Sequence, residues 1–472
     1  MRIYGWLLVV IVVAVAAVAL IVWLRSPKRT LLGELPEARV ALNEQDRILV
    51  LAPHPDDEVL GCGGVIQQAL AIGAPVHVAF LTYGDFYEFS FLVYKKRPVL
   101  TARGVEGMGE IRHDEAVAAD SLLGVPRENL SFFGYPDFGT LEMWQAGWGD
   151  SPPVRGMLSK ATAVPYANAV RPGAPYKGEE VLKDLTSLLR ELRPTKVFVS
   201  HPADHHPDHR AMYVFTRVCL FDLEQELTPE VHPYLVHYTS WPRPRGYHPD
   251  GPLKPPGWLG KEVPWQIVPL DQPAERVKLD ALKKHRTQYE TTPRFLNAFV
   301  RSNELFGDFP EIRLDVNAPS QSVSENTPGK AAEVGLVEQA DEFLTGIIKR
   351  TVQVENDRLV LSLDLTRPLA REVASSVYLF GYRSDRPFPQ MPKLHVRLGA
   401  LGHELYDQHR RIPWGQIEVS RAGRHIDIRV PLEMMGDPQK ILTSAKTYAG
   451  DIPLDWAAWR ILDVRGATAA RP

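Results

Sequence analysis

The feature that most constrains the fold is a strand, a helix and a second strand that follow one another closely in the first quarter of the chain. Residues 47–52 are a continuous apolar run, as expected for a strand buried on both faces, and the run stops at Pro53. Residues 59–71 then have a helical pattern, and residues 76–82 form a second apolar run. A unit of this kind places its two strands side by side and parallel, with the helix across one face.

The same alternation continues along the chain. Its later elements are a helix at 111–123, a short strand at 130–133, an amphipathic helix at 179–192 and a strand at 196–200. We therefore predict an α/β fold: a Rossmann-like, mainly parallel sheet with helices on both faces. Residues 86–109 and 140–175 interrupt this pattern, and we interpret them as long loops near the mouth of a site.

The pattern changes after residues 316–330, which have the polar, Pro-containing and Gly-containing composition of a linker. Short runs with period-two alternation follow, at 358–364, 376–382, 395–398, 416–420 and 425–430. They predict an antiparallel β-sandwich over residues 331–472. The preceding α/β domain is predicted to span residues 30–315, and a chain of 472 residues is long enough for two such domains.

Residues 6–24 are uniformly apolar and uncharged, and they are long enough to span a bilayer. A cleavable signal peptide is the alternative, but its apolar region is usually shorter and ends in small residues, whereas this run ends in Ile-Val-Trp-Leu-Arg. We predict that residues 1–29 are a retained transmembrane anchor. The side of the membrane stays open, because the basic cluster at 25–29 favours a cytoplasmic body and the extreme N-terminal position favours export.

The composition excludes several classes of protein. The net charge of −3 and the absence of any run of five Lys or Arg residues argue against a nucleic-acid partner. Cys62 and Cys219 are too few for a disulfide framework and lack the spacing of a cysteine-based zinc site, so both are predicted to be buried apolar side chains. The oligomeric state is not indicated by the sequence.

Two clusters of polar residues carry the chemistry. The first predicted strand runs directly into Pro-His-Pro-Asp-Asp-Glu (residues 53–58), and the strand at 196–200 runs into residues 201–209, which hold four of the fifteen histidines. Either cluster alone fits a turn with a helix cap. Because the carboxyl ends of parallel strands line the ligand crevice, the two together predict a metal site with the mixed imidazole and carboxylate ligands that zinc accepts. Fe(II) is not excluded by these ligand types.

On these motifs the chain resembles the LmbE-like/PIG-L family of zinc-dependent N-deacetylases, over about residues 47–310. The motifs are Pro-His-Pro-Asp-Asp-Glu at 53–58, His-Pro-Asp-His at 206–209 and, less specifically, Phe-Gly-Tyr-Pro-Asp at 133–137. The resemblance implies these roles: His54, Asp57 and His209 as zinc ligands, Asp56 as general base, His206 as the group that stabilises the oxyanion and helps the amine leave, Asp208 as support for His206, and Arg112 and Asp137 as sugar contacts. The Glu-Ala pair after Arg112-His-Asp and the segment 283–288 also look like family pattern.

The predicted function is therefore zinc-dependent removal of an acetyl group from an N-acetylated amino sugar or glycoconjugate. A zinc amidase acting on a non-sugar amide would use the same metal residues. A noncatalytic, membrane-bound glycan-binding protein is the alternative from another class, although such a protein would be expected to lack Asp56 or His206, and both are present. A nucleotide-binding domain is disfavoured because the first strand-helix turn lacks Gly-x-Gly-x-x-Gly.

The anchor, the two interruptions and the β-sandwich lie outside the resemblance, so they leave the substrate undetermined. The sandwich suggests a carbohydrate-binding or docking role, in which Trp414, Trp456 and Trp459 could stack on sugar rings. Core packing is the expected role for at least two of these three tryptophans.

Overall fold

A computed structural model describes residues 32–86, 101–257, 259, 262–323, 345–450 and 452–465. The predicted anchor at 6–24 and residues 324–330 of the predicted linker lie outside these ranges. Within them, no helix has both the length and the apolar character that crossing a bilayer requires.

The first half of the chain forms a mixed sheet in which parallel pairing dominates. Its strands are β1 (Ile48–Ala52), β2 (Val76–Thr82), β3 (Leu130–Tyr135), β4 (Lys196–Ser200), β5 (Glu230–Tyr234), β6 (Gln266–Pro269) and β7 (Asn303–Phe306). They lie in the order β3-β2-β1-β4-β5-β7-β6; the first five are parallel, and β7 pairs antiparallel with both β5 and β6. This confirms the predicted mainly parallel sheet.

The helices pack in two groups against this sheet. They are α1 (Asp57–Ala71), α2 (Ala102–Leu123), α3 (Thr140–Ala146), α4 (Gly178–Leu192), α5 (Pro207–Asp222), α6 (Gln272–Leu282), α7 (Arg286–Tyr289) and α8 (Pro293–Leu296). Helices α1, α2 and α6 contact one another, and α3, α4 and α5 form the second group. Because β1 and β4 are neighbours, the segments that follow them meet at one edge of the sheet.

Two predicted loops contain helices. Helix α2 begins at Ala102 rather than at residue 111, so the last third of the predicted loop at 86–109 is helical; residues 87–100 lie outside the described ranges. Thr101 caps this helix by accepting a hydrogen bond from the backbone N–H of Gly104 (3.1 Å). Helix α3 lies inside the predicted loop at 140–175, where Met143 and Trp144 are fully buried.

The second half of the chain is β-rich and consists of two sheets. One holds β9 (Gln321–Ser322), β10 (Ile347–Glu355), β11 (Arg358–Leu365), β16 (Glu418–Ala422) and β17 (His425–Pro431). The other holds β8 (Ile312–Arg313), β12 (Val373–Tyr382), β13 (Lys393–Leu398), β14 (His403–Asp407), β15 (Arg410–Ile412), β18 (Lys440–Ala449), β19 (Ile452–Trp456) and β20 (Arg460–Asp463). Pairing is antiparallel except between β8 and β20, and both sheets contribute to one hydrophobic core. Strand β9 lies within the predicted linker.

Aromatic side chains join the two halves. Trp144 of α3 stacks on Phe388 with the ring centroids 5.2 Å apart, and it contacts the rings of Phe380 and Trp459. Trp459 is 2% exposed, so its role is packing, and these rings belong to the same core cluster as the α/β half. The β-rich region is thus held firmly against α3 and α5.

Candidate metal centre and catalytic residues

The candidate site lies where the chain leaves β1 and β4. Residues 53–56 connect β1 to α1, and residues 201–206 connect β4 to α5. Pro207 occupies the first turn of α5, where its fixed φ suits a helix start and its missing N–H costs nothing. Helices α1 and α5 therefore both begin at this edge of the sheet, beside the two histidine motifs.

The three predicted metal ligands converge on one another. Asp57 Oδ2 lies 3.1 Å from His54 Nδ1 and 3.0 Å from His209 Nε2. Asp57 and His209 are fully buried, and His54 is 6% exposed. The second carboxylate oxygen, Asp57 Oδ1, is buried and has no hydrogen-bond partner among the described residues. A buried carboxylate oxygen left without a donor is the observation expected where a cation is to be held.

The outer nitrogen of each ligand histidine faces a further carboxylate. His54 Nε2 lies 3.2 Å from Asp208 Oδ2 and 3.2 Å from Asp137 Oδ1, and His209 Nδ1 lies 3.2 Å from Asp204 Oδ2. Histidines that bind metals commonly direct their second nitrogen to a carboxylate in this way, which fixes the ring orientation and raises ligand basicity.

The electrostatics of the cluster favour positive charge. Burial alone would lower the pKa of His209, but Asp204 and Asp57 raise it to about 9. Burial would raise the pKa of Asp57, yet His209 and His54 hold it well below its ordinary value, so this carboxylate stays ionised. The same carboxylates that retain protons on the imidazoles would stabilise a metal cation among them.

The donor set fits a zinc site. Among the described residues, donor atoms lie close enough to share an ion in three sets: His54, His206 and His209; His54, Asp137, His206 and Asp208; and Asp57, His209 and His237. Imidazole nitrogens with a carboxylate oxygen are ligands that zinc accepts in catalytic sites. None of these sets contains all three predicted ligands: His54 shares a set with His209, and Asp57 shares one with His209 and with His237, which sequence reasoning did not single out.

Asp56 is held in an uncommon backbone conformation beside these ligands. Its φ is 124° and its ψ is −26°. This backbone conformation costs a non-glycine residue free energy, and it persists only where the surrounding structure enforces it. Its backbone N–H donates to Glu58 Oε2 (2.9 Å), and its Oδ2 lies 3.6 Å from Arg112 Nη2. Burial, opposed by Arg112 and reinforced by Asp57, raises the pKa of Asp56 to about 6, a value suited to a general base near neutral pH.

Two buried contacts explain the less specific family-like segments. Glu58 Oε1 lies 2.9 Å from His285 Nε2, so the segment 283–288 supports the carboxylate that fixes the Asp56 backbone. Thr287 donates from its backbone N–H (2.9 Å) and from its hydroxyl (2.6 Å) to Glu115 of α2. The Glu-Ala pair is therefore hydrogen-bonded to the segment 283–288, although the two are far apart in the chain. The same segment contacts Glu58 and so supports the site.

His206 lies at the start of α5 with its ring in the cluster. Its Nδ1 accepts a hydrogen bond from the backbone N–H of Asp208 (3.3 Å), so the proton of a neutral ring is on Nε2. Burial, and then the neighbouring imidazoles of His54, His237 and His209, lower the pKa of His206 well below its ordinary value. A neutral imidazole with Nε2–H directed away from its own helix is a hydrogen-bond donor suited to a developing oxyanion.

The carboxylate of Asp208 makes its closest contacts away from His206. It accepts hydrogen bonds from the backbone N–H groups of Phe138 (2.6 Å) and Thr140 (3.1 Å) and from the Thr140 hydroxyl. Its Oδ2 is 3.8 Å from His206 Nδ1, compared with 3.2 Å from His54 Nε2. Asp208 thus contacts His206 most closely through its backbone N–H, while its side chain holds the loop that follows β3.

The two predicted sugar contacts are both buried. Arg112 is 4% exposed, and its guanidinium donates to the carbonyls of Gly84 (2.7 Å) and Pro55 (2.6 Å) while facing Asp56. Asp137 is 5% exposed; it accepts a hydrogen bond from the backbone N–H of Phe86 (2.9 Å) and faces His54. Both side chains contact residues 53–56, which we call, together with residues 201–206, the catalytic loops. The role of Arg112 and Asp137 in holding a sugar stays a prediction.

Sequence reasoning missed the roles of Asp204 and His237. Asp204 is fully buried and accepts hydrogen bonds from the backbone N–H groups of His206 (2.8 Å), Val236 (3.0 Å) and His237 (2.9 Å), besides facing His209. It therefore ties the loop after β4 to the segment after β5. The sequence signal that could have identified His237 is its position, because it follows the carboxyl end of β5, the parallel strand beside β4.

Comparison with known families agrees with this geometry. Residues 49–220 match the PIG-L family model, described as GlcNAc-PI de-N-acetylase, and this segment of the chain is a PIG-L (LmbE-like) domain. The match contains both histidine motifs together with Arg112 and Asp137, and it ends before the β-rich region.

Several similar curated proteins are named deacetylases. A 1D-myo-inositol 2-acetamido-2-deoxy-alpha-D-glucopyranoside deacetylase of Rhodococcus jostii is 30% identical over 174 residues, which are 36% of this chain and 51% of that protein. The matched stretch thus spans about half of that relative. A deacetylase of the same description from Kribbella flavida is 27% identical over 310 residues, 59% of this chain and 92% of that protein. A solved structure of N,N'-diacetylchitobiose deacetylase from Pyrococcus horikoshii is 23% identical, covers 55% of this chain and 82% of its own, and has a TM-score of 0.35.

Proposed function

We propose that this protein is a zinc-dependent hydrolase that removes the acetyl group from an N-acetylated amino sugar or glycoconjugate. The observation that carries the proposal is the convergence of His54, Asp57 and His209 around one buried carboxylate oxygen, with Asp56 and His206 beside them. The PIG-L domain at 49–220 and its deacetylase relatives support the same class of reaction.

Zinc would be held by His54, Asp57 and His209. When bound, it would supply Lewis-acid chemistry, polarising the acetamide carbonyl and lowering the pKa of water. Such assistance is needed because an amide is a weak electrophile. The outer carboxylates that face these histidines hold the rings in place for this task.

Asp56 and His206 perform the proton chemistry. The ionised Asp56 carboxylate takes a proton from the attacking water, and its strained backbone and Arg112 keep it in position. His206 donates a hydrogen bond from its Nε2–H to the oxygen of the tetrahedral intermediate. As the C–N bond breaks, the proton that Asp56 took from water passes to the departing amine, and the neutral His206 helps the amine leave by stabilising this intermediate. Hydrolysis yields acetate and the free amino sugar.

The direct test is acetate release by purified protein from a panel of N-acetylated sugars, with and without removal of the metal. We expect acetate from at least one acetamido sugar, loss of activity on chelation and recovery with zinc. Release from non-sugar amides but from no sugar would favour the amidase alternative. Glycan binding without acetate release from any member of the panel, in zinc-loaded protein, would favour the noncatalytic alternative.

We also propose that residues 6–24 anchor the chain in a membrane as a single N-terminal helix, with the body on the exported, periplasmic or extracellular face. The support is the long uncharged apolar run and its lack of a small-residue cleavage site. Cell fractionation should recover the protein at full mass with the membranes, and external protease should digest it in cells with intact inner membranes. A soluble product lacking about the first 25 residues would refute the anchor.

A further inference from the structure

Two cations lie beside aromatic rings where the β-rich region meets the catalytic loops. Arg210 directly follows the ligand His209 in α5, and its Cζ lies 5.4 Å from the ring centroid of Trp456. Lys446 of β18 is paired directly opposite Trp456 of β19, and its Nζ lies 5.3 Å from the ring of Tyr448. We call Arg210, Lys446, Trp456 and Tyr448 the junction subsite.

Neither cation has a carboxylate partner. Among the described residues, no carboxylate oxygen lies within 4.0 Å of the side-chain nitrogens of Arg210 or Lys446, and Arg210 Nε is buried without a hydrogen-bond partner. The carboxylates that act on Arg210 from further away, Asp204 and Asp208, are bonded to the catalytic loops. Burial and the nearby Arg210 lower the pKa of Lys446, in agreement with two like charges placed close together.

The two cations contact aromatic rings, since Arg210 lies over Trp456 and Lys446 lies over Tyr448 and Tyr378, and these contacts offset only part of the cost of burying two like charges. Half-buried like charges without a counter-ion cost free energy, because each has lost part of its hydration and repels the other. An anion between them would restore the balance through charge-assisted hydrogen bonds, and arginine and lysine are the usual partners of phosphate and carboxylate groups. The rings of Trp456 and Tyr448 hold the two cations through cation–π contacts.

The junction subsite borders the candidate active site. The ring of His205, the residue before His206, meets the ring of Trp456 edge-on with centroids 4.8 Å apart. Arg210 lies in the first turns of the helix that carries His209. These contacts place the junction subsite beside the loop that carries His205 and His206.

We propose that the junction subsite binds an anionic group, a phosphate or a carboxylate, on the unit next to the acetamido sugar that is hydrolysed. This inference rests on the proposed deacetylase function and narrows its substrate to a negatively charged glycoconjugate. The β-rich region then contributes directly to substrate choice, because Lys446, Trp456 and Tyr448 all belong to it.

Steady-state kinetics on three substrates test the subsite. The full-length zinc-loaded protein is compared on neutral N,N'-diacetylchitobiose, on N-acetylglucosamine joined to a second sugar through a phosphodiester, and on a disaccharide of N-acetylglucosamine and glucuronic acid. We expect a lower KM for one of the two charged substrates, and which one identifies the anion. Lys446→Gln and Arg210→Gln should each raise that KM about tenfold, the loss expected for one charge-assisted hydrogen bond.

Lys349→Gln is the matched control, because it removes an equal charge from an exposed lysine on the other sheet. It should leave the preference for the charged substrate unchanged. The proposal is overturned if the wild-type protein does not prefer either charged substrate, if the preference survives Lys446→Gln, or if Lys349→Gln reduces it equally. Lys446→Gln should fold with a melting temperature at or above that of the wild type, since it removes an unpaired charge.

A binding measurement separates failure of the subsite from failure of the deacetylase proposal. The two charged disaccharides are titrated calorimetrically into wild-type protein and Lys446→Gln. If no substrate releases acetate, the proposed function fails; binding of a charged disaccharide that Lys446→Gln loses would still support an anion subsite. If neither charged disaccharide binds the wild-type protein, the subsite itself is refuted.

Discussion

The adjacent carboxylates Asp56 and Asp57 should have separable roles, although they share one loop. Asp57 Oδ2 lies about equally close to His54 and His209, whereas Asp56 Oδ2 faces Arg112 Nη2 at 3.6 Å. Substitution by Asn removes the negative charge and keeps the side-chain shape. Asn also tolerates backbone conformations with positive φ better than most residues, which matters at Asp56.

Asp56→Asn leaves the three proposed ligands in place, so its zinc content should stay near that of the wild type. Its kcat should fall about 10²- to 10⁴-fold, or about 3–5 kcal/mol, the usual contribution of a general base. Asp57→Asn removes the only carboxylate among those ligands and leaves two imidazoles facing a neutral group. Zinc content and turnover should therefore fall together in that variant.

The pH dependence of the wild-type protein follows from the same carboxylate. Burial raises the pKa of Asp56 to about 6, and the base works only when ionised. The value of kcat/KM should therefore be maintained above this pKa and fall as the pH is lowered through about 6. A cation bound at Asp57 would favour the ionised form and move the fall to lower pH, never to higher pH.

The assay combines metal analysis by mass spectrometry with acetate release, on both variants and on the control Asp114→Asn. Asp114 lies on α2 with an 82% exposed side chain, so its loss of charge should change neither quantity. If Asp56→Asn loses zinc while Asp57→Asn retains it, the two roles are exchanged. If both variants keep zinc and full activity, the hydrolase interpretation of this loop is wrong.

Three further predictions concern other residues. His206→Ala should keep its zinc and lose about 10²- to 10³-fold in kcat, as expected for one oxyanion donor; a change confined to KM would contradict this role. Asp204→Asn should weaken zinc binding about 10- to 100-fold in competition with a chelator, because it removes the carboxylate behind His209; unchanged affinity would show that Asp204 is not needed there. Burial lowers the pKa of Lys393 from 10.5 to about 7. Between pH 7 and pH 10.5 the unfolded chain therefore binds more protons than the folded chain, and thermal stability should rise with pH. Lys393→Met should flatten this pH dependence of stability, and an unaltered slope would exclude Lys393 as its origin.

Strands β1 to β4 could be predicted because buried parallel strands have continuous apolar sequences, whereas β5, β6 and β7 were not predicted. The start of α2 could not, since residues 102–110 contain three glycines, which disfavour a helix. Tertiary packing explains the glycine at position 109, because the Cβ of any larger residue there would lie 2.4 Å from the hydroxyl of Tyr166. Packing between distant segments thus overrides local propensity at this helix.

The candidate ligands could be predicted because each lies in a short motif at a strand end. Their supporting residues lie elsewhere in the chain, and a single sequence does not reveal such pairings. His285, which faces Glu58 across 227 positions, and Thr287, which binds Glu115 across 172, are two examples. Arg112 was predicted to be a site residue from its motif. Its buried position beside Asp56 depends on how α2 packs, which the motif does not indicate.

The proposed deacetylase chemistry rests on residues inside the PIG-L match, whereas the proposed substrate choice also involves other parts of the chain. The PIG-L domain ends at residue 220, whereas Trp456 contacts His205 from β19. The position of β19 depends in turn on β18 and on the aromatic contacts between Trp459 and Trp144, which belong to the core cluster of the α/β half. Because this packing fixes the β-rich region beside the candidate metal ligands, we expect substitutions there to change the preference among substrates while the proposed catalytic residues Asp56 and His206 stay in place.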